Sequence, residues 1–440
     1  MNITIYGAGY VGLVSGICFA ELGHSVCCVD IDEDKIARLK QGELPIYEEN
    51  LLHLLKKNVM ANRVYFTSDF QQAIDHATVQ MIAVGTPSKE DGSADLRYVK
   101  AVAKKIGELM TEYKCIVNKS TVPVGTAQQV ELTISQQLKN RHVTLSFDVA
   151  SNPEFLREGR AVKDCLSPDR IVLGVKTEKA LQLMQTLYLP LTEKNHPLLS
   201  MDIASAELTK YAANAFLATK VSFMNEISQI AERVGASILA IKKGIGSDSR
   251  INEKFLNAGC GFGGSCFPKD LSALENTAKT HGYDPIILNA VLRTNDQQQQ
   301  LLFHKIADYF NQELKNKVIA LWGLSFKPNT DDVRSATSRV LMEALWEAGA
   351  RVQAYDPLAM NNIRQLYTTQ SALILCDNAN AVLENADVLV VVTEWDDFKT
   401  PDFIKIKSTL KHPVIFDGRN MYDGKAVREM GLNYFGIGCS

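Results

Sequence analysis

The opening residues constrain this chain more than any other stretch. Asn2-Ile3-Thr4-Ile5-Tyr6 has the apolar, β-branched character of a buried parallel strand, and Gly7-Ala8-Gly9-Tyr10-Val11-Gly12 follows at once, leading into a helix-like run through Leu22. A strand, a G-x-G-x-x-G turn and a helix make a dinucleotide-binding unit. Gly7 permits the tight turn, Gly9 lets a pyrophosphate touch the backbone, and Gly12 lets the helix pack on the strand with its N-terminus facing the phosphates. Val26-Cys27-Cys28-Val29 reads as a second strand ending at Asp30, about 20 residues on, where a carboxylate accepts from the adenosine ribose hydroxyls. Asp30, with Asp32 close behind, would repel a 2′-phosphate, so the expected cofactor is NAD and not NADP.

Strand-like runs at Val79 to Val84, Lys114 to Asn118, Asp148 to Ser151 and Arg170 to Val175 alternate with helix-like runs at Leu96 to Met110 and Thr126 to Leu138. That alternation implies a doubly wound parallel sheet, whose ligands lie outside the carboxyl ends of the strands. Three of those ends carry polar or Gly/Pro-rich turns: Gly85-Thr86-Pro87, Lys119-Ser120-Thr121-Val122-Pro123, and the segment from Ser151 to Glu158. From Ala204 to Val234 no Pro or Gly interrupts a run with Leu208, Tyr211, Ala215, Phe216, Phe223, Ile227 and Ile230 at helical spacing. A helix of roughly 45 Å is long enough to join two domains and to offer a packing face to a second subunit. Lys210 and Asn214 lie four apart on it and share one face.

Past residue 300 the pattern starts over. Lys317 to Gly323 is a strand and turn, Ser335 to Ala348 is helical, and Arg351 to Tyr355, Asp387 to Thr393 and Val414 to Phe416 are strands. This second Rossmann-like half lacks the triple-glycine fingerprint, so it is not expected to bind a second NAD. Its turns present Lys327, Arg334 and Arg419, and paired N–H donors of arginine suit a diphosphate.

Between the halves stands Gly261-Phe262-Gly263-Gly264-Ser265-Cys266-Phe267-Pro268-Lys269-Asp270. Paired glycines let backbone N–H groups approach a ligand, Pro268 stiffens the turn, and Lys269 favours a nearby thiolate, so Cys266 is a candidate covalent catalyst. The remaining composition excludes other classes. A net charge of −3 with no Lys/Arg-rich block gives no field for nucleic acid, and the apolar runs are strand-sized, short of a membrane span. Met1 leads into a strand and not into a signal sequence, and nine cysteines without regular spacing argue for reduced thiols and against a disulfide framework or a metal site. The expected location is cytoplasmic.

These residues converge on a family. The chain resembles the UDP-glucose 6-dehydrogenases, nucleotide-sugar dehydrogenases that oxidise an alcohol to a carboxylate with two NAD. The resemblance runs end to end: GAGYVGL at Gly7, VGTP at Val84, KSTVPVGT at Lys119, SNPEFLREG at Ser151, LTKYAANAF at Leu208, GFGGSCFPKD at Gly261, FKPNTDDVR at Phe326 and FDGR at Phe416. It implies an α/β chain of two Rossmann-like doubly wound domains joined by a long central helix. Residues 1–200 would bind NAD, 201–300 would form a helical dimerisation domain with the cysteine loop, and 301–440 would bind the UDP-sugar. It makes Cys266 the nucleophile that captures a C6 aldehyde as a thiohemiacetal and then a thioester. Lys210 and Asn214 match the oxyanion pair, Asp270 the carboxylate that positions or activates water, and Glu158 and Thr121 groups in proton transfer and water ordering.

Besides the fingerprint glycines, the resemblance places Val11, Asp30, Lys35, Thr86, Thr121, Glu158, Lys269 and Arg334 on NAD. UDP-glucose is expected against Glu154, Phe155, Leu156, Arg157 and Glu158, then Lys210, Asn214, Phe255, Leu256, Asn257, Ala258, Gly259, Gly263, Lys327 and Arg419. Arg250 matches a position that reaches the substrate from the partner subunit of a homodimer. Cys260 departs from many relatives and is read as packing; Ser335-Ala336-Thr337 also departs. GDP-mannose or a UDP-N-acetylhexosamine is the alternative within the family, although Phe267 after the cysteine fits the glucose branch. A two-electron hydroxyacid dehydrogenase would release one NADH and tolerate loss of Cys266. A non-catalytic NAD-sensing module would turn over no sugar nucleotide.

Overall fold

The structure is a computed structural model describing residues 1–439. The chain forms two compact units, Met1–Ala213 with Ser272–Tyr283, and Asn214–Leu271 with Asp284 onward. The stretch 201–300 is thereby divided between them.

In the first unit, β1 (Asn2–Tyr6), β2 (Ser25–Val29), β3 (Val64–Thr67), β4 (Val79–Ile82), β5 (Lys114–Asn118), β6 (Phe147–Ser151), β7 (Ile171–Gly174) and β8 (Leu198–Met201) form one sheet in the order β3-β2-β1-β4-β5-β6-β7-β8. Its inner strands are buried on both faces because their side chains alternate between two apolar layers. Ile3, Ile5, Val79, Met81, Cys115 and Val117 point into one, and Tyr6, Ile82 and Ile116 into the other. Most pairs are parallel, but β7 enters antiparallel to β6, with Ser151 opposite Gly174. A Cβ at Gly174 would lie 2.7 Å from the Ala206 side chain, so this small residue lets the start of the helix Ile203–Val234 press onto the sheet.

In the second unit, β9 (Val318–Trp322), β10 (Arg351–Tyr355), β11 (Leu373–Leu375), β12 (Val388–Val391), β13 (Val414–Asp417) and β14 (Asn433–Phe435) form an all-parallel sheet in the order β11-β10-β9-β12-β13-β14. Order and parallelism repeat the first unit's centre, yet the nucleotide end of the repeat is closed. Asp356, after β10, stands where Asp30 stands after β2. It is wholly buried and accepts from Leu324 N, Ser325 N, Ser325 Oγ, Trp395 Nε1, Leu358 N and Ala359 N at 2.7 to 3.1 Å. A carboxylate committed to six protein donors has no lone pairs left for a ribose.

Candidate active site

The fingerprint turn is shaped by the absence of side chains. Gly7 has φ 105°, and a Cβ at Gly12 would lie 1.8 Å from the Gly7 carbonyl oxygen. At Gly9, the N-cap of the helix Tyr10–Glu21, nothing lies within 4 Å of the Cβ position, so the backbone there is open to a phosphate. Asp30 Oδ2 accepts from Ala8 N at 2.8 Å and from Lys35 Nζ at 3.1 Å, which fixes the carboxylate beside the turn. Asp32 caps the next helix, accepting from Lys35 N at 2.9 Å. Val11 packs half-buried on the core, and Thr86 donates to the Thr121 carbonyl at 2.9 Å, tying together the turns after β4 and β5. Helix N–H donors for a pyrophosphate and a carboxylate acceptor for a ribose are the groups that NAD needs.

Two side chains with no signal in the sequence brace this end. Tyr10 donates a short hydrogen bond to Glu48, and Glu48 accepts from Gly159 N and Ala161 N at 2.7 Å each. Burial and Glu48 together push the Tyr10 phenol far above its usual range. The brace anchors the segment that carries Glu158 to the helix that begins at the fingerprint.

Glu154 and Lys210 form a buried ion pair at 3.2 Å, and Glu154 also accepts from Leu156 N at 2.5 Å. Phe155 stacks under Arg170 at 3.6 Å, and Lys210 Nζ lies 5.3 Å from the same ring. Arg157 is held by Asp164 through two bonds of 2.5 and 2.8 Å. One turn before Lys210, Glu207 accepts from Gly125 N at 2.8 Å and Ala127 N at 2.9 Å, capping the helix Thr126–Asn140 that follows the Thr121 turn. Burial lifts its carboxyl to about 7.

The second unit gathers the cysteine loop. Cys266 is exposed and sits just before the helix Phe267–Thr280, where the positive end of the helix dipole favours negative charge. Ser265 Oγ lies 3.5 Å from its sulfur. Asp270, buried one turn on, accepts from Asn214 Nδ2 at 2.6 Å and from Lys269 Nζ at 2.5 Å. Those two donors orient the carboxylate. Cys260 is fully buried, with its thiol raised by burial and 3.8 Å from the Val392 carbonyl, as packing requires.

The remaining candidates lie around this loop or on the surface. Phe255 holds φ 64°, a conformation costly for an aromatic residue, and opens the stretch in which Leu256, Ala258 and Gly259 are buried and Asn257 is exposed. Gly263 passes so close to the Ser335 carbonyl that a Cβ would meet it at 2.2 Å. Arg419 donates to the Val392 carbonyl at 2.6 Å and the Phe326 carbonyl at 3.1 Å, and Glu394 lies 3.1 Å away. Lys327 Nζ is 5.2 Å from the Phe326 ring. Arg334 forks onto Asp332, and the exposed Arg250 forks onto Asp248. Among the described residues no cluster of ligating side chains could hold a metal ion, and no helix is long and apolar enough to cross a membrane.

Comparison with known proteins agrees along the whole chain. Residues 1–192 match the NAD binding domain of the UDP-glucose/GDP-mannose dehydrogenase family, 204–297 its central domain and 320–424 its UDP binding domain. The UDP-glucose 6-dehydrogenase of Pseudomonas aeruginosa is 47% identical over 441 residues, covering 100% of this chain and 97% of its own length. The UDP-glucose 6-dehydrogenase TuaD of Bacillus subtilis is 46% identical, covering 99% and 93%. Among solved structures, a UDP-glucose dehydrogenase from Pyrobaculum islandicum superposes with a TM-score of 0.91 at 35% identity, covering 100% of this chain and 98% of that one. Three family domains in order on one chain, with relatives matched over their full length, make this protein a member of the UDP-glucose/GDP-mannose dehydrogenase family.

Proposed function

We propose that this chain oxidises UDP-glucose to UDP-glucuronate in two two-electron steps, with water as the final acyl acceptor and Cys266 as the covalent carrier between them. The observation that supports it most is the second unit's loop: an exposed thiol at a helix start, one turn before a buried carboxylate held by Asn214 and Lys269. NAD, when bound, supplies the hydride acceptor for each oxidation. Gly7, Gly9, Val11 and Gly12 shape its pyrophosphate site, and Asp30 with Lys35 takes the ribose. Thr86, Thr121, Glu158, Lys269 and Arg334 complete the cofactor set by family motif.

The chemistry follows from the side chains. The Cys266 sulfur adds to the C6 aldehyde, forming a C–S bond while the carbonyl oxygen becomes a hemiacetal oxygen; Lys210 and Asn214 donate to that oxygen. Preoriented donors of this kind are worth about 3 kcal/mol each in other enzymes. Loss of hydride from the same carbon, with loss of the proton from its oxygen, leaves a thioester, and water then cleaves the C–S bond, returning the thiol and releasing the carboxylate. Asp270 orients that water and takes its proton, and Thr121 and Glu158 order the approach. Capture keeps the aldehyde from diffusing away between steps. The sugar nucleotide is assigned to Glu154, Phe155, Leu156 and Arg157, to the stretch Phe255, Leu256, Asn257, Ala258 and Gly259, and to Gly263, Lys327 and Arg419.

We assign the functional parts as 1–200, 201–300 and 301–440; the three matched family segments support that division. A homodimer is part of the reading. Phe216, Phe223 and Ile230 recur every seven residues on the helix Ile203–Val234 and are 49 to 66% exposed, an apolar stripe that calls for cover. Arg250 would then serve the partner's substrate. Nine free thiols support a cytoplasmic location. The test is a panel of UDP-glucose, UDP-N-acetylhexosamines and GDP-mannose followed by NADH absorbance. UDP-glucose is expected to give the highest kcat/KM, and no turnover of it would overturn the assignment.

A further inference from the structure

From Gly259 to Gly264 four of six residues of the cysteine loop are glycine, which lose the most conformational freedom on ordering, and the segment has no strand ladder to satisfy its backbone. Cys260 N donates to the Gly418 carbonyl at 2.9 Å and the Cys260 carbonyl accepts from Thr337 Oγ1 at 3.0 Å. The rest of the hold includes a set of amide side chains. Asn295 Oδ1 accepts from Phe262 N at 2.7 Å while its Nδ2 donates to the Phe262 carbonyl at 3.1 Å, a two-way grip on one residue that stands in for a strand pair. Gln299 Nε2 donates to the same carbonyl at 3.0 Å and to Ser335 O at 3.2 Å. Earlier in the loop, Asn225 Oδ1 accepts from Gly259 N at 2.9 Å and Gln298 Nε2 donates to the Gly259 carbonyl at 2.6 Å. Asn225, Asn295 and Gln298 are buried. The loop is shaped to receive them, since a Cβ at Gly261, which has φ 98°, would lie 2.8 Å from Gln299 Cγ and 3.2 Å from Asn295 Oδ1.

We infer that these amides are positioning residues with divided tasks: the Asn295 grip on Phe262 sets the attack geometry of Cys266, and the Asn225–Gln298 grip on Gly259 sets the sugar-nucleotide stretch. The division follows from the chain. Phe262 lies four residues before Cys266, its ring packs 5.6 Å from Phe267, and the next anchor is Gly264 N on the Arg334 carbonyl at 2.8 Å. Gly259 instead ends the stretch from Phe255 assigned to the sugar nucleotide, and a Cβ there would touch the Gly418 carbonyl at 3.1 Å and Arg419 at 3.3 Å. The inference rests on the proposed role of Cys266, so its test includes a readout that needs no substrate.

The experiment compares Asn295→Ala and Gln298→Ala with the unaltered full-length chain, measuring kcat, KM for UDP-glucose, and the rate of Cys266 alkylation by iodoacetamide followed by peptide mass. Asn295→Ala is expected to lower kcat and to change the alkylation rate by about tenfold or more, with KM within about twofold, since a misplacement on the order of 1 Å costs up to a hundredfold in rate. Gln298→Ala is expected to raise KM about tenfold and to leave alkylation unchanged, the loss of one buried hydrogen bond. If Asn295→Ala does not fold, Asn295→Asp carries the test: it keeps an acceptor for Phe262 N, loses the donor to the carbonyl, and is expected to move kcat and alkylation in the same direction. Unaltered alkylation and kcat in the Asn295 variants, or equal effects of both substitutions on both constants, would overturn the division. Altered alkylation in an enzyme inactive on UDP-glucose would leave the positioning role standing and reject the substrate.

Discussion

Glu207 is a buried carboxyl held by the backbone N–H groups of Gly125 and Ala127, and it makes stability depend on pH in a direction opposite to an ordinary carboxylate. Its folded pKa of about 7 stands above the unfolded value of 4.5. Stability from such a group is fully present below the unfolded value and is lost as pH rises through the folded one, because the unfolded chain releases the proton more readily. A shift of this size corresponds to about 3 kcal/mol in full, of which about 2 kcal/mol develops between roughly pH 5.5 and 8.5. The charged groups nearest its cavity are Glu131, Lys176 and Asp202; Lys176 pairs with Glu131 at 2.5 Å, and none is among the causes of the shift. Glu207→Gln removes the titration, keeps one acceptor and turns an amide donor toward the second N–H, leaving a stability that this site no longer makes pH-dependent, about 1–3 kcal/mol below that of the protein with Glu207 protonated. Denaturant midpoints for both proteins at the two pH values should therefore converge as pH rises, the variant losing most at pH 5.5. Parallel profiles would refute the assignment of a raised pKa to this burial.

Three further outcomes follow from the site. Asp30→Ala removes the ribose acceptor and should raise KM for NAD by about tenfold to a hundredfold while improving use of NADP, in line with a charged hydrogen bond; equal cofactor preference before and after would count against it. Cys266→Ser should cut UDP-glucuronate formation by at least about a thousandfold, since a neutral hydroxyl is a far weaker nucleophile; a near-normal rate would indicate a mechanism without covalent capture. Phe223→Asp should shift the molar mass seen by light scattering from dimer to monomer, and an unchanged mass would place the subunit contact elsewhere.

What the sequence showed and hid has a physical pattern. Strands buried on both faces, such as β1, β5 and β13, announce themselves as apolar runs at close to their observed limits. The four unrecognised strands, β3, β8, β11 and β14, are the two edges of each sheet. They are three or four residues long, and three of them are partly exposed, so they carry little apolar signal. The site divides in the same way. The fingerprint turn, the Lys210 and Asn214 turn of helix and the loop ending at Asp270 are contiguous motifs and can be read directly. Glu48, Glu207 and Asn295 act on backbone groups 33 or more residues away, and Asn295-Asp296-Gln297-Gln298-Gln299-Gln300 reads by composition as a solvated helix face. Only the packing of the cysteine loop reveals that part of it is buried.

The central claim is that one thiol carries the sugar between two oxidations. The direct measurement is the amount of NADH formed when limiting UDP-glucose is consumed to completion with NAD in excess. The account predicts two NADH per UDP-glucose and no free aldehyde trapped by an added amine. One NADH per UDP-glucose, with a released aldehyde, would contradict it.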